Sequence, residues 1–360
     1  MSDPATPALA ATSPIPRYAT PVLRVVLVAA VAVGALAALL AAAGYDAALA
    51  LGALWEGSVG SWYAIGSATL VRATPLVLAG LAVSIAFRAG VFNIGAEGQL
   101  LAGASAATAV ALGSAGVLGR ASVLAALVAG ALAGGAWAGI AAWLRRRFRV
   151  LEVISTIMLN FIALHAVGWL VRGPLQEPTR IYPQSSSLPD VARLPRLLPD
   201  ARVHWGLVLA VAACVGAWWV LRHTAAGFRL RAAGANPSAA RVAGLIDVDR
   251  VTSMAFLASG ALAGLAGASE VGGVTYALYE SLSPGYGYTA IAVALLARLH
   301  PLGVVATGLL FGALEAGATA MQRDAGVPSV VVAVVEAALI LVVVALESAR
   351  WRARAAEAGT

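Results

Sequence analysis

Between Arg222 and Arg250 the chain reads RHTAAGFRLRAAGANPSAARVAGLIDVDR, a polar interlude set between long apolar runs. Inside it both ends of a short helix are marked. Asn236 suits the N-cap, Pro237 the first helical position, Ser238 to Ala243 about two turns, and Gly244 the left-handed residue that ends a helix. Arg222, Arg229, Arg231, Arg241 and Arg250 face only two acids, Asp247 and Asp249. That excess of arginine places the segment on the cytoplasmic side of a membrane. A plain connecting loop needs no capped helix, so the segment reads as a docking element for a cytoplasmic partner.

The composition sets the class. Hydrophobic residues make up 61% of the 360 positions and charged residues 11%, with a mean hydropathy of +0.87. Soluble domains carry about 25% charged residues. The chain is therefore expected to be an all-α, polytopic membrane protein. The net charge is +7, and every basic residue is an arginine. Because the arginines cluster at the ends of apolar runs, orientation in an anionic bilayer accounts for them better than nucleic acid does. The single cysteine, Cys214, lies within an apolar run and excludes an intrachain disulfide.

About twenty apolar residues cross a bilayer. On that measure residues 1–21, with five prolines, read as a disordered cytoplasmic tail. A permease-like membrane domain is expected over 22–347, and 348–360 read as a second cytoplasmic tail. The first apolar run, about 22 to 44, is longer than a signal-peptide core and reads as a retained anchor. Further spans are expected at 91–113, 121–144, 151–171, 204–221, 251–270, 286–298, 302–321 and 328–347. Between Arg72 and Arg88 about fifteen residues cover only roughly 22 Å, short of the roughly 30 Å core, so this span must be tilted, broken or shielded. That makes about ten spans with both termini inside. Arg145 to Arg149 (RRRFR) is the strongest inside mark, and residues 172–203, rich in proline, form a long outer loop. Spans two to five begin outside and seven to ten inside, the arrangement of an inverted repeat. Gly130 with Gly134, Gly135 with Gly139, and Gly260 with Gly264 mark faces for close helix packing.

An ionisable side chain in mid-span costs about 2.5–3.5 kcal/mol, so each one needs a reason. Asn93, Glu97 and Gln99 lie near the start of the third span, with Asn93 and Glu97 on one helical face. Ser155, Thr156 and Asn160 lie on the fifth. Either group lines a polar pathway or ties helices together. Tyr286 and Tyr288 fall in SPGYGYTA (283–290), a Gly/Pro-interrupted segment of the kind that borders transport sites, or serve as interfacial anchors. Glu270, Tyr276, Tyr279 and Glu280 lie around the same interrupted segment, and Glu315 and Glu336, deep in their runs, are expected to face the protein interior without a specific role. The four histidines are scattered, so no metal site is expected. The chain has no P-loop and no H-E-x-x-H; no nucleophile and base pair up, so no catalytic residues are assigned.

Five stretches carry a resemblance: FNIGAEGQL (92–100), EVISTIMLNFIA (152–163), LRAAGANPSAARVAGL (230–245), SGALAGLAG (259–267) and GYGYTAIAVALLARLHPLGVV (285–305). Together they resemble permease subunits of bacterial ABC importers, in the branch for nucleosides and simple sugars, related to ribose and branched-chain amino acid permeases. The resemblance implies a coupling helix carrying Gly227, Arg231, Gly234, Asn236, Pro237, Ala240 and Gly244, seated in a cleft of a separate ATP-binding subunit. It implies a substrate pathway with Phe92, Asn93, Glu97, Gln99, Ser155, Thr156, Asn160, Tyr286 and Tyr288. The chain itself would bind no cofactor, with ATP and Mg held by the ATPase. Its partners would be that ATPase, a second and different permease, and an extracytoplasmic substrate-binding protein, in the bacterial inner membrane. Where relatives commonly carry a glutamine near Val334 to Leu339, Glu336 stands here. The residues alone leave two other readings: a proton-coupled carrier using Glu97, and a passive channel. Neither gives the capped helix a purpose.

Overall fold

A computed structural model describes residues 33–242 and 246–328, with the isolated positions 331, 334 and 337. Gly244 and Glu336 therefore lie outside the described residues, as do the start of the first expected span and most of the last. The chain divides into two compact units, Met1–Gly52 with Val330–Thr360, and Ala53–Ser329. In the first, Val33–Ala42 (α1) is a short apolar helix.

Ala47–Ser58 (α2) leads into the second unit. The long helices there are Trp62–Arg88 (α3), Ala96–Leu118 (α4), Ala121–Phe148 (α5), Glu152–Arg172 (α6), Gly206–His223 (α7), Val248–Thr275 (α10) and Pro301–Asp324 (α12). These seven are long and apolar enough to cross a membrane. Two short helices, Ala225–Ala235 (α8) and Pro237–Val242 (α9), fill the polar interlude. Tyr286–Leu296 (α11) is a half-length helix.

Charges and caps set several boundaries. α5 ends with Arg145, Arg146 and Arg147 in its last turn, where cations complement the helix dipole, and Arg149 turns left-handed at φ 55°. Arg145 then pairs with Glu152 in the first turn of α6, at 3.4 Å. Asp247 caps α10 through the Arg250 amide at 2.9 Å.

α4, α5 and α10 pack along glycines. A Cβ on Gly264 would fall on the Gly130 carbonyl, one on Gly103 on the Gly264 backbone, and one on Gly134 on the Gly260 carbonyl. Bare backbones in contact gain dispersion and exclude lipid, which drives association where water cannot. The spacing in the sequence located two of these three helices; Gly103 joins them only in three dimensions.

The expected short span between Arg72 and Arg88 is instead the C-terminal part of α3, which starts at Trp62 and passes through Arg72 and Pro75. Arg72 looked like a boundary because it is charged, but its guanidinium donates to Thr319 Oγ1 on α12 at 3.2 Å. A π-turn, Ile65–Thr69, precedes it. The expected span from residue 91 also changes. Residues 91–95 are non-helical and α4 begins only at Ala96. The outer loop, 172–203, is ordered by backbone bonds onto the helix ends, including Val203 to Gly66, Leu194 to Gly272 and Leu188 to Tyr276.

Candidate functional site

Residues 91–95 pose a problem: non-helical backbone between membrane helices has unspent amides and carbonyls, and lipid offers no partner. Polar side chains supply the missing bonds. Asn93 Nδ2 donates to Gln99 Oε1 and Ser259 Oγ, both at 2.9 Å. Its Oδ1 accepts from the Gly95 amide and from Gln99 Nε2, again at 2.9 Å. Asn160, on α6, accepts from the Gly98 amide at 2.8 Å and donates to the Ile94 carbonyl at 2.9 Å. Thr156 Oγ1 accepts from the Ile94 amide at 3.3 Å. Ser155 turns back to its own helix, donating to the Glu152 carbonyl at 3.1 Å. Asn93, Gln99, Ser155, Thr156 and Asn160 are all buried. The structure thus gathers Asn93, Gln99, Thr156 and Asn160, with Ser259, into one polar knot at the entry of the chain into α4 and leaves Ser155 outside it.

Glu97 joins this knot to the second interrupted segment. Its Oε2 accepts from the Gly287 amide at 2.7 Å, and the Ser283 hydroxyl is bonded to it as well. Glu97 stands in the first turn of α4 and Gly287 in the first turn of α11. One carboxylate therefore sits where two helix N-termini meet, each bearing about half a positive charge. The approach is close enough that a Cβ on Gly287 would fall on the Glu97 amide. Tyr288 Oη lies 3.4 Å from Asn160 Nδ2 and the residue is exposed, whereas Tyr286 is buried. Phe92 is exposed and meets Phe87 edge-on at 5.2 Å.

The polar interlude folds as two helices rather than one. Asn236 caps α9, accepting from the Ala239 amide at 3.0 Å, with Pro237 at the first helical position. The preceding helix α8 is capped by Thr224, which accepts from the Gly227 amide at 3.1 Å. Gly227 packs on the Val220 carbonyl, Gly234 on the Arg88 carbonyl, and Ala240 is buried. These three face the protein's own helices. Arg231, Asn236 and Pro237 face outward. Phe228 and Val242, 59% and 88% exposed, stand out on this surface. Sequence reading passed over both; an apolar residue flanked by arginines in a polar segment was the available signal.

The seat of this element connects to α11. Arg88, under Gly234, donates from Nε to the Leu299 carbonyl at 2.6 Å. Leu299 follows the C-terminal end of α11, and Glu97 holds its N-terminal end. The α3–α4 linker thus touches the helical pair α8–α9 and both ends of the half-length helix.

Residues 65–344 match the family described as branched-chain amino acid transport system / permease component. The chain is 41% identical over 343 residues to the glucose ABC transporter permease protein of Haloferax volcanii, covering 92% of this chain and 88% of that one. It is 41% identical over 332 residues to a guanosine ABC transporter permease protein of Bacillus subtilis, covering 91% and 93%. A second guanosine ABC transporter permease protein of the same bacterium is 30% identical over 253 residues, covering 68% and 78%. No solved structure matches. With seven apolar helices of spanning length and this breadth of similarity, the chain belongs to the branched-chain amino acid transport system permease family, as a multi-pass permease subunit of an ABC transporter of the nucleoside and sugar branch.

Proposed function

We propose that the chain forms half of the translocation pathway of an ATP-driven importer for a nucleoside or a simple sugar, delivered by an extracytoplasmic binding protein. The observation that carries the energy source is the capped helix pair α8–α9. Its outward face presents Phe228, Arg231, Asn236, Pro237 and Val242, and its inward face rests on the Arg88 carbonyl. A separate ATPase subunit, holding ATP and Mg, would grip that face and push on the α3–α4 linker. The linker would carry the displacement to α11 through the Arg88–Leu299 and Glu97–Gly287 bonds.

The substrate class follows from the relatives named for guanosine and glucose. Bacillus subtilis holds two guanosine permeases similar to this chain, at 41% and 30% identity. That pattern supports pairing with a second, different permease. The positive segment 222–250 would lie in the cytoplasm, together with both termini, in the bacterial inner membrane.

The test is ATPase activity of the complex reconstituted with its ATPase, second permease and binding protein, over a panel of nucleosides and sugars. Stimulation by one ligand class supports the reading and names the class. Failure to assemble with an ATPase, together with uptake that follows a proton gradient, would transfer the function to a Glu97-based carrier.

A further inference from the structure

The knot around Asn93 spends its hydrogen bonds internally. A second polar group leaves one buried oxygen, Glu270 Oε2, unpartnered. Arg72 lies about 15 Å along α3 from Trp62 and about 24 Å from Arg88, inside the length of a hydrocarbon core. It is only partly buried, and its partner Thr319 is exposed on α12. Glu315, one turn earlier on α12, is also partly exposed, and its carbonyl accepts from Thr319 Oγ1 at 2.9 Å. A guanidinium on a lipid-facing surface at this depth costs about 2.5–3.5 kcal/mol or more, so such residues face a bundle interior or water. Thr319 shows that the described helices leave this face open.

Behind that face stands Glu270, 5% exposed, with Oε2 lacking any hydrogen-bond partner. The charges of Arg72 and Arg202 reach it, and Tyr279 and Tyr286 lie within its field. Tyr286 also feels Glu315. The backbone is irregular on both sides of the group. The π-turn Ile65–Thr69 ends just before Arg72, and a second, Val271–Thr275, begins just after Glu270. Such turns inside α-helices are frequent at functional sites.

We propose that Arg72, Glu315 and Thr319, backed by Glu270, Tyr279 and Tyr286, form the substrate-contacting wall of the pathway, and that its ligand is uncharged and polyhydroxylated: a sugar, free or as the ribose of a nucleoside. The inference rests on the permease reading. Arginine donates and carboxylates accept, which matches hydroxyl groups able to do both. Arg72 and Arg202 are the basic groups whose charges reach Glu270, so the wall offers donors and acceptors side by side rather than a cluster of one sign. The tyrosine rings offer apolar faces to a sugar ring or a base.

The experiment uses the complete transporter in proteoliposomes, with the buried Cys214 replaced by Cys214→Ala. Thr319→Cys is treated with a charged, membrane-impermeant methanethiosulfonate, and the exposed Leu124→Cys on α5 serves as the lipid-facing comparison. The proposal expects Thr319→Cys to react at least tenfold faster, and saturating guanosine or glucose on the binding protein to slow it threefold or more. Equal rates would make the face lipid-exposed and overturn the proposal. Fast labelling that no ligand slows would overturn it too, leaving a water-lined surface without substrate contact. In parallel, Arg72→Gln should raise the KM for uptake about tenfold in a complex that still assembles; an unchanged KM would overturn the assignment of Arg72. ATPase activity that no ligand stimulates would instead count against the importer reading, a failure visible separately from the thiol chemistry.

Discussion

The two polar groups within the helical bundle differ in what they do with their hydrogen bonds. Around Asn93, five side chains close on one another and on the backbone at the start of α4, and those with amides use both ends. Around Glu270, a carboxylate oxygen stays unpartnered and an arginine reaches a partly open face. A satisfied network rigidifies and specifies a fold, while an unsatisfied buried group is costly unless something else completes it. On that difference rests our proposal that the first group is scaffold and the second a working surface. It also removes the temptation to treat every polar residue in a membrane span as part of the pathway.

The contrast breaks most readily at the scaffold. Asn93→Leu leaves the Gly95 amide, the Gln99 amide and Ser259 without their partner, at about 1–3 kcal/mol for each orphaned group. We expect membrane abundance to fall about tenfold or more, read by quantitative blotting of full-length chain. Normal abundance would mean that the knot is dispensable and the contrast false. Val242→Arg places a charge on an exposed apolar contact and should leave abundance unchanged while uptake drops about tenfold with loss of ATPase co-purification. That choice improves on a substitution at Gly234, whose Cβ would strike the Arg88 carbonyl and damage the permease itself.

Glu97→Gln sharpens the comparison. The amide oxygen can still accept from Gly287, but the charge between two helix N-termini is gone, a loss of about 0.3–1 kcal/mol at each. Uptake should stay within about threefold of the parent, with thermal stability slightly lower. Abolished uptake in a fully assembled complex would make Glu97 part of the transport pathway rather than a strut. The smallest effect is expected in the outer loop. The Gln184 amide, the Thr179 hydroxyl and the Tyr182 amide hold the Glu177 carboxyl below the usual range. A lowered folded pKa stabilises the ordered loop above the unfolded value and loses that contribution as pH falls through the folded one. Amide exchange at Tyr182 should therefore lose protection below about pH 4, whereas pH-independent protection would show that the carboxylate does not order the loop.

Much of this was legible beforehand because membranes impose coarse rules. Apolar runs of about twenty residues announce spanning helices, and Asn236-Pro237 announces a capped helix in a polar loop. Both signals are local, so they survive without knowledge of the fold. Arg72 misled for the same reason: a charge reads as a boundary when its partner, Thr319 on another helix, is invisible in sequence. The break at residues 91–95 was hidden too, since Val91, Ile94 and Ala96 look helical and only the bonds from Thr156 and Asn160 reveal an extended path.

The sequence by itself determined the solvent, the helix class and the polar element that faces a partner, because hydropathy and caps act over one or two turns. The tertiary structure decided which polar residues close on one another and which leave an atom unpartnered. That distinction is a matter of whether each donor and acceptor finds a mate across helices far apart in the chain, and no local pattern encodes it.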